Sequence, residues 1–242
     1  FTRSLFDRGI SKPDTYDEDT VDNILEDMKK QKTNEVEEKP NIIFIQLESF
    51  MDLKRMQGVT YSEEPTPVYS SLRKTCPGGF LKVPSVGAGT ANTEFEFLTG
   101  DTMAFLPAGS IPYQQYITKD TPSMASYLKS LGYETYAMHP YYASGWNRDK
   151  IYPLLGFDSF YSSADFYGST YERGYIDDSS CVDKIIETYE KKDAGTPAFI
   201  FNVTMQNHSP YTDGYQNLQG NVTVDGTVSA QLSEYLTLVK LS

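Results

Sequence analysis

An α/β fold, with a mainly parallel sheet and helices on both of its faces, is predicted by three features of this sequence. Residues 41–47 and 198–203 are nearly continuous runs of β-branched and aromatic residues, the mark of strands buried on two faces. Segments with helical spacing of apolar residues alternate with such runs, as βα units do. The chain has 242 residues, 39% of them apolar, enough to fill one large α/β domain or two small ones. Intrinsic disorder, collagen and a disulfide-rich miniprotein are excluded on the same grounds.

The elements follow in order. Residues 1–39 read as an acidic helical arm, in which Asp14, Asp17, Glu18, Asp19, Asp22, Glu26 and Asp27 crowd together. Asp19 or Thr20 is placed to cap a helix with Val21, Ile24, Leu25 and Met28 on its apolar face. Pro40 opens the main domain, residues 40–242, and the strand at 41–47 ends on Glu48-Ser49. Residues 77–89 are Gly/Pro-rich loop, and 91–98 form a short helix stopped by Gly100. Thr121-Pro122 starts a helix bearing Met124, Tyr127, Leu128 and Leu131, closed by Gly132. The strand at 133–138 then runs to His139-Pro140. The next helix, 179–192, carries Val182, Ile185, Ile186 and Tyr189 on its inward face, and the strand at 198–203 leads to Asn207-His208-Ser209-Pro210. A last helical pattern, Val228, Leu232, Tyr235, Leu236 and Val239, reaches Ser242 without a terminating Gly, Asn or Pro. With no initiator Met at Phe1, both ends are expected to be cuts within a longer protein.

Composition narrows the function. Twenty-one Lys and Arg against 33 Asp and Glu give a net charge of −12, which repels polyphosphate backbones and argues against nucleic acid as a partner. No stretch approaches the roughly 18 apolar residues of a spanning helix. Cys76 and Cys181 fit one disulfide or two free thiols equally. The sequons beginning at Asn202 and Asn221 read as chance, the first lying in an expected buried strand.

In parallel sheets ligands bind beyond the carboxyl ends of the strands, and Glu48, His139 and His208 each fall just past such an end. One histidine there is more often a packed residue than a functional one. Both histidines of the chain at the same edge as a carboxylate shift the balance. A carboxylate emerging from a sheet interior is usually paired or bound to a metal. The segment Gly87-Ala88-Gly89-Thr90 adds a hydroxyl at or next to a helix N-cap, where free N–H groups favour an anion. Thr90 is either a simple cap there or, beside a metal carboxylate, a nucleophile whose alkoxide is stabilised.

Five ordered blocks resemble one family: NIIFIQLESF at 41–50, GAGTANTEFEFLTG at 87–100, MHPYYASGWNRD at 138–149, LGFDSF at 155–160 and NHSPY at 207–211. They resemble the extracellular catalytic domain of the lipoteichoic acid synthases, phosphoglycerol transferases of the sulfatase-like branch of the alkaline phosphatase superfamily. The resemblance implies an enzyme of the cell membrane, anchored through N-terminal helices, that moves glycerol phosphate from phosphatidylglycerol onto a glycerol-phosphate polymer outside the cell. It implies Glu48 as a metal ligand and Thr90 as both nucleophile and ligand of a divalent ion, manganese first, magnesium or zinc as alternatives. It implies His139, Trp146, Arg148 and His208 as contacts to the phosphoglycerol head group, the fork of Arg148 being apt for two phosphate oxygens, and His208 or His139 is the candidate proton carrier.

Two departures stand out. Where the family often has His-Gly-Asp-Tyr, this chain has His139-Pro140-Tyr141-Tyr142, so an acidic substrate contact is lost. The family's remaining metal ligands, an Asp-His pair, are expected beyond Ser242, which implies an incomplete C-terminus, an incomplete metal site and no turnover by these residues alone. Formylglycine-dependent sulfatase chemistry is disfavoured because neither Cys76 nor Cys181 has the Cys/Ser-x-Pro-x-Arg setting. A metal phosphodiesterase using water and a noncatalytic module for anionic polymer are the rival readings.

Overall fold

The computed structural model describes residues 14–30, 38–85, 87, 89–211, 218, 222–225 and 229–242. Helix α1 (Glu18–Lys29) is capped by Asp17, whose carboxylate accepts from Thr20 N–H, not by Asp19 or Thr20. The side chain has to sit three residues before the N–H it caps, and Asp17 alone of the three does. No residue of this helix is buried, so the apolar face of Ile24, Leu25 and Met28 is exposed.

Four strands, β1 (Ile42–Gln46), β2 (Glu134–Met138), β3 (Ser159–Tyr161) and β6 (Ala198–Val203), form one sheet in the order β1-β6-β2-β3, every pair parallel. The sheet's centre is β6, where all six residues are buried. Its side chains alternate between two layers. Phe199, Phe201 and Val203 face Ala91, Phe95, Leu98, Leu128 and Tyr152. Ala198 and Ile200 face Cys181, Ile185 and Ile176. Helices on both faces of a parallel sheet are thereby established. Fully burying each Phe, Leu, Ile or Val among them contributes about 1.5–3 kcal/mol.

The first strand departs from expectation. On one face Phe44 stacks on Phe97 and Phe201. On the other, Ile43 and Ile45 remain 48% and 41% exposed. β1 is an edge strand covered on one side among the described residues, although its sequence reads like a central one.

The helices are α2 (Pro67–Thr75), α3 (Thr90–Thr99), α4 (Pro112–Gln115), α5 (Met124–Ser130), α6 (Arg148–Leu154), α7 (Asp178–Lys191) and α8 (Ala230–Leu241). α5 starts at Ser123 rather than at Thr121-Pro122, because Ser123 and Ser126 exchange hydrogen bonds in a capping box. In α7 the inward stripe is Cys181, Ile185 and Thr188, whereas Val182, Ile186 and Tyr189 are exposed. The last pattern becomes α8, whose Leu236 and Val239 pack on Leu53 and Val222, and Val228 lies outside the described residues. A short hairpin, β4 (Tyr171–Glu172) and β5 (Tyr175–Ile176), turns at Arg173-Gly174. Cys76 is exposed, Cys181 is buried, and both are free thiols. Asn202 is fully buried in β6, so its sequon is inaccessible, and Asn221 lies outside the described residues. No helix among the described residues is long and apolar enough to cross a membrane.

Candidate functional site

At the carboxyl edge of β1, Glu48 leaves the sheet with its N–H bonded to the Thr204 hydroxyl at 3.0 Å, which ties it to the residue following β6. The next residue, Ser49, takes φ 50°, a sharp turn that ends the strand's direction. Helix α3 opens opposite. Its N-cap is Gly89 at φ 79°, a left-handed conformation glycine tolerates and a Cβ does not. Thr90 is therefore the first residue of the helix and not its cap, and its hydroxyl is free for another partner. That partner is Glu48: Thr90 Oγ1 donates to Oε2 at 2.5 Å. A hydroxyl, a carboxylate and the N–H groups of a helix N-terminus converge there, a setting suited to an anion and to an oxygen nucleophile.

One turn along α3 is Glu94, on the same side as Thr90. It is fully buried and pairs with Arg148, itself 2% exposed. Arg148 Nε donates to Glu94 Oε2 at 3.2 Å, Nη2 donates to Oε1, and Tyr152 adds its hydroxyl to Oε2 at 2.8 Å. The Nε–Nη2 edge of the Arg148 fork, expected to span two phosphate oxygens, is thus occupied by Glu94 in this structure. A buried guanidinium has to be neutralised from within the protein, and Glu94 does it with both prongs. Nη1 is left, 3.4 Å from Gly145 O. Just before Arg148, Trp146 and Asn147 have φ 55° and 61°, two consecutive left-handed residues that aim α6 inward. Such conformations cost on the order of 1–3 kcal/mol and persist where the surroundings fix them. Trp146 packs half-buried against the aromatic layer over β6.

His139 follows β2 directly and is buried, with Nδ1 2.9 Å from Val203 O. A carbonyl only accepts, so Nδ1 carries the proton. Burial, reinforced by the positive charge of Arg148, holds the imidazole down at about 3, against the bond to Val203 that favours the cation. It is neutral throughout the physiological range.

His208 is half-buried, its Nδ1 2.7 Å from Ser209 O and its ring edge-on to Tyr175 at 5.9 Å. The same logic places its proton on Nδ1 and leaves Nε2 as the available lone pair. Its backbone is held by a residue the sequence did not single out. Arg173, at φ 51° in the β4–β5 turn, is buried and donates to Gln206 O at 3.0 Å, His208 O at 2.8 Å and Pro210 O at 2.8 Å. It also pairs with Glu234 of α8 at 3.0 Å. Tyr211 closes the loop: its hydroxyl donates to Asn207 O at 2.6 Å, and its upward-shifted pKa, due first to burial, also registers Ser49 and Glu48 nearby. Glu48, Thr90, His139, Arg148 and His208 are thus linked in sequence around one sheet edge. Glu94 and Arg173 had one weak signal each, an acid four residues after Thr90 and a lone Arg beside a Gly turn.

Residues 40–241 match the sulfatase family. A Rhizobium meliloti protein named for cyclic beta-1,2-glucan modification is 37% identical over 188 residues, covering 78% of this chain and 28% of that one. A lipoteichoic acid synthase of Staphylococcus saprophyticus is 28% identical, with 90% of this chain and 36% of that one covered. This chain therefore spans about a third of the length of these curated relatives. Among solved structures, the Streptococcus pyogenes phosphoglycerol transferase GacH in complex with sn-glycerol-1-phosphate superposes with a TM-score of 0.79 at 23% identity, over 96% of this chain and 64% of that one. That likeness shows a shared fold.

Proposed function

The chain belongs to the sulfatase family, and from that premise we propose that it carries out phosphoglycerol transfer, with Thr90 as the nucleophile and phosphatidylglycerol as the glycerol-phosphate donor. The supporting observation is the Thr90–Glu48 hydrogen bond at 2.5 Å, set at a helix N-terminus whose cap is a glycine.

Thr90 Oγ attacks the phosphodiester phosphorus and passes its proton to Glu48, while the P–O bond to diacylglycerol breaks and the departing alkoxide takes a proton from water. Free N–H groups of the first turn of α3 receive the phosphoryl oxygens. A glycerophospho-threonine results. A glycerol hydroxyl of a cell-envelope polymer then attacks it, His208 Nε2 taking the proton, and the P–O bond to Thr90 breaks as the threonine oxygen recovers its proton from Glu48. His139, neutral at working pH, is suited to hydrogen-bond the head group without adding charge. Arg148 contributes positive potential with its fork already bound.

The Glu48 carboxylate and Thr90 hydroxyl are hard oxygen donors and fit part of a divalent-cation site of the manganese, magnesium or zinc kind. No group of three His, Cys, Asp or Glu side chains that could hold a metal occurs among the described residues. A cation bound there would supply Lewis acidity and stabilise the threonine alkoxide. We place residues 1–39 as an arm leading to a membrane anchor and 40–242 as part of an extracellular catalytic domain.

The test is product analysis in the intact protein carrying this chain, with phosphatidylglycerol labelled in its glycerol head. Label on polymer and a glycerol-phosphate mass on the Thr90 peptide are expected. Free glycerol phosphate with one oxygen from labelled water, and no adduct, would assign a hydrolase instead. An adduct-free protein that binds polymer without releasing product would be a binding module.

A further inference from the structure

We propose that the segment from Arg73 to Val83 is a docking element for an anionic lipid bilayer. Between Glu64 and Glu94 the sequence contains no Asp or Glu, in a chain with 33 of them. Within that interval Arg73, Lys74 and Lys82 are exposed, and none is in an ion pair among the described residues. The tip between them is apolar: Phe80 and Leu81 are 72% and 78% exposed, with Val83 also exposed. Arg55 comes from a separate segment and lies 4.3 Å over the Phe80 ring, bringing a further cation to the same spot.

The element is anchored. The Arg73 guanidinium fills the space a Cβ on Gly78 would need, so the loop folds back on α2. Tyr69 of α2 packs edge-on against Phe50 at 5.6 Å, two residues after Glu48. At its far end Val83 lies six residues before Gly89 in the sequence.

A protein of charge −12 is repelled by an anionic membrane over most of its surface. The acid-free segment is where approach is favoured, through cations drawn to the head groups within a Debye length of about 8 Å. Phe80 and Leu81 then enter the head-group boundary and leave water. A soluble polyanion would engage the cations but give the apolar tip nothing, which favours a bilayer. This inference rests on the proposed reading only in that a lipid donor brings the domain to a membrane, and its test needs no turnover.

The test is cosedimentation of the chain with vesicles of phosphatidylglycerol mixed with phosphatidylcholine, and with phosphatidylcholine alone. Binding to the anionic vesicles, weakened by salt, is expected. Phe80→Ser/Leu81→Ser should weaken it about tenfold or more, and Lys74→Glu/Lys82→Glu by at least about fivefold per position. Lys29→Glu/Lys119→Glu, equally exposed but elsewhere, should not. Thr90→Ala should bind as the parent does, which separates docking from the nucleophile assignment. Wild-type chain that ignores anionic vesicles overturns the proposal and leaves the threonine mechanism standing. So does unchanged vesicle binding by Phe80→Ser/Leu81→Ser, or a Lys74→Glu/Lys82→Glu effect seen with soluble glycerol-phosphate polymer and not with vesicles.

Discussion

Replacing Arg148 by Met leaves the Glu94 carboxylate fully buried, with only the Tyr152 hydroxyl to hold it. Both members of the pair are out of water, and Glu94 receives two of its three hydrogen bonds from the guanidinium. Breaking a buried pair from one side costs about 3–5 kcal/mol, because the remaining charge is uncompensated. For a chain of this size each kcal/mol lowers Tm by about 2–4 °C, so the variant should melt roughly 6–20 °C below the parent. Glu94→Leu should cost a similar amount by stranding the cation. The double variant Glu94→Leu/Arg148→Met places apolar side chains of similar volume in the same space, and should lose much less than the sum of the two. Thermal unfolding by circular dichroism on the four proteins closes the cycle. Arg148→Lys tests the fork: one ammonium cannot make both parallel bonds, so it should fall between parent and Met. A single-variant loss under about 1 kcal/mol, the size of an exposed pair, would refute a desolvated Glu94–Arg148 pair. Additive single losses would refute it as well.

Two further outcomes follow from the site. His139, held down at about 3, should stay neutral with its proton on Nδ1 in imidazole NMR spectra down to about pH 4, where an unperturbed histidine is charged. The unfolded chain binds that proton near pH 6.5 and the native chain does not, so stability should fall as pH drops from about 6.5 towards 3. A native-state titration near 6.5 would contradict the buried placement. Arg173→Lys cannot span the three carbonyls and Glu234 together, and lost bonds to a charged donor cost about 1.5–3 kcal/mol. In the intact protein it should lower kcat and shift or broaden the His208 imidazole signals while leaving those of His139 in place. Equal changes in both histidines would mean that Arg173 stabilises the domain at large.

The centre of the sheet was legible because a strand buried on both faces writes itself as an unbroken apolar run, as β6 does, whereas the three-residue β3 is too short to leave a pattern and was not expected. The same signal misled at β1, where Ile43 and Ile45 look outward. A run of isoleucines does not say whether a second layer covers it. Strand-end logic located Glu48, His139 and His208, since the carboxyl edge is fixed by topology. What escaped was pairing. Arg148 was visible as a cation near the site, but its commitment to Glu94 depends on α3 and α6 meeting, a tertiary fact. Arg173 acts through backbone carbonyls, which carry no residue-type signature at all. Helix starts slipped by one to three residues for a local reason: Asp17 and Ser123 each supply the oxygen at the position that the first free N–H groups require.

The central claim is that the Thr90 oxygen becomes bonded to phosphorus. Mass spectrometry of the Thr90 peptide, after brief exposure of the intact protein to phosphatidylglycerol and acid quenching, tests it directly. A single glycerol-phosphate adduct on Thr90, absent in Thr90→Ala together with all transfer activity, is the expected result. Near-normal glycerol-phosphate transfer by Thr90→Ala, with no adduct in either protein, would contradict the covalent mechanism.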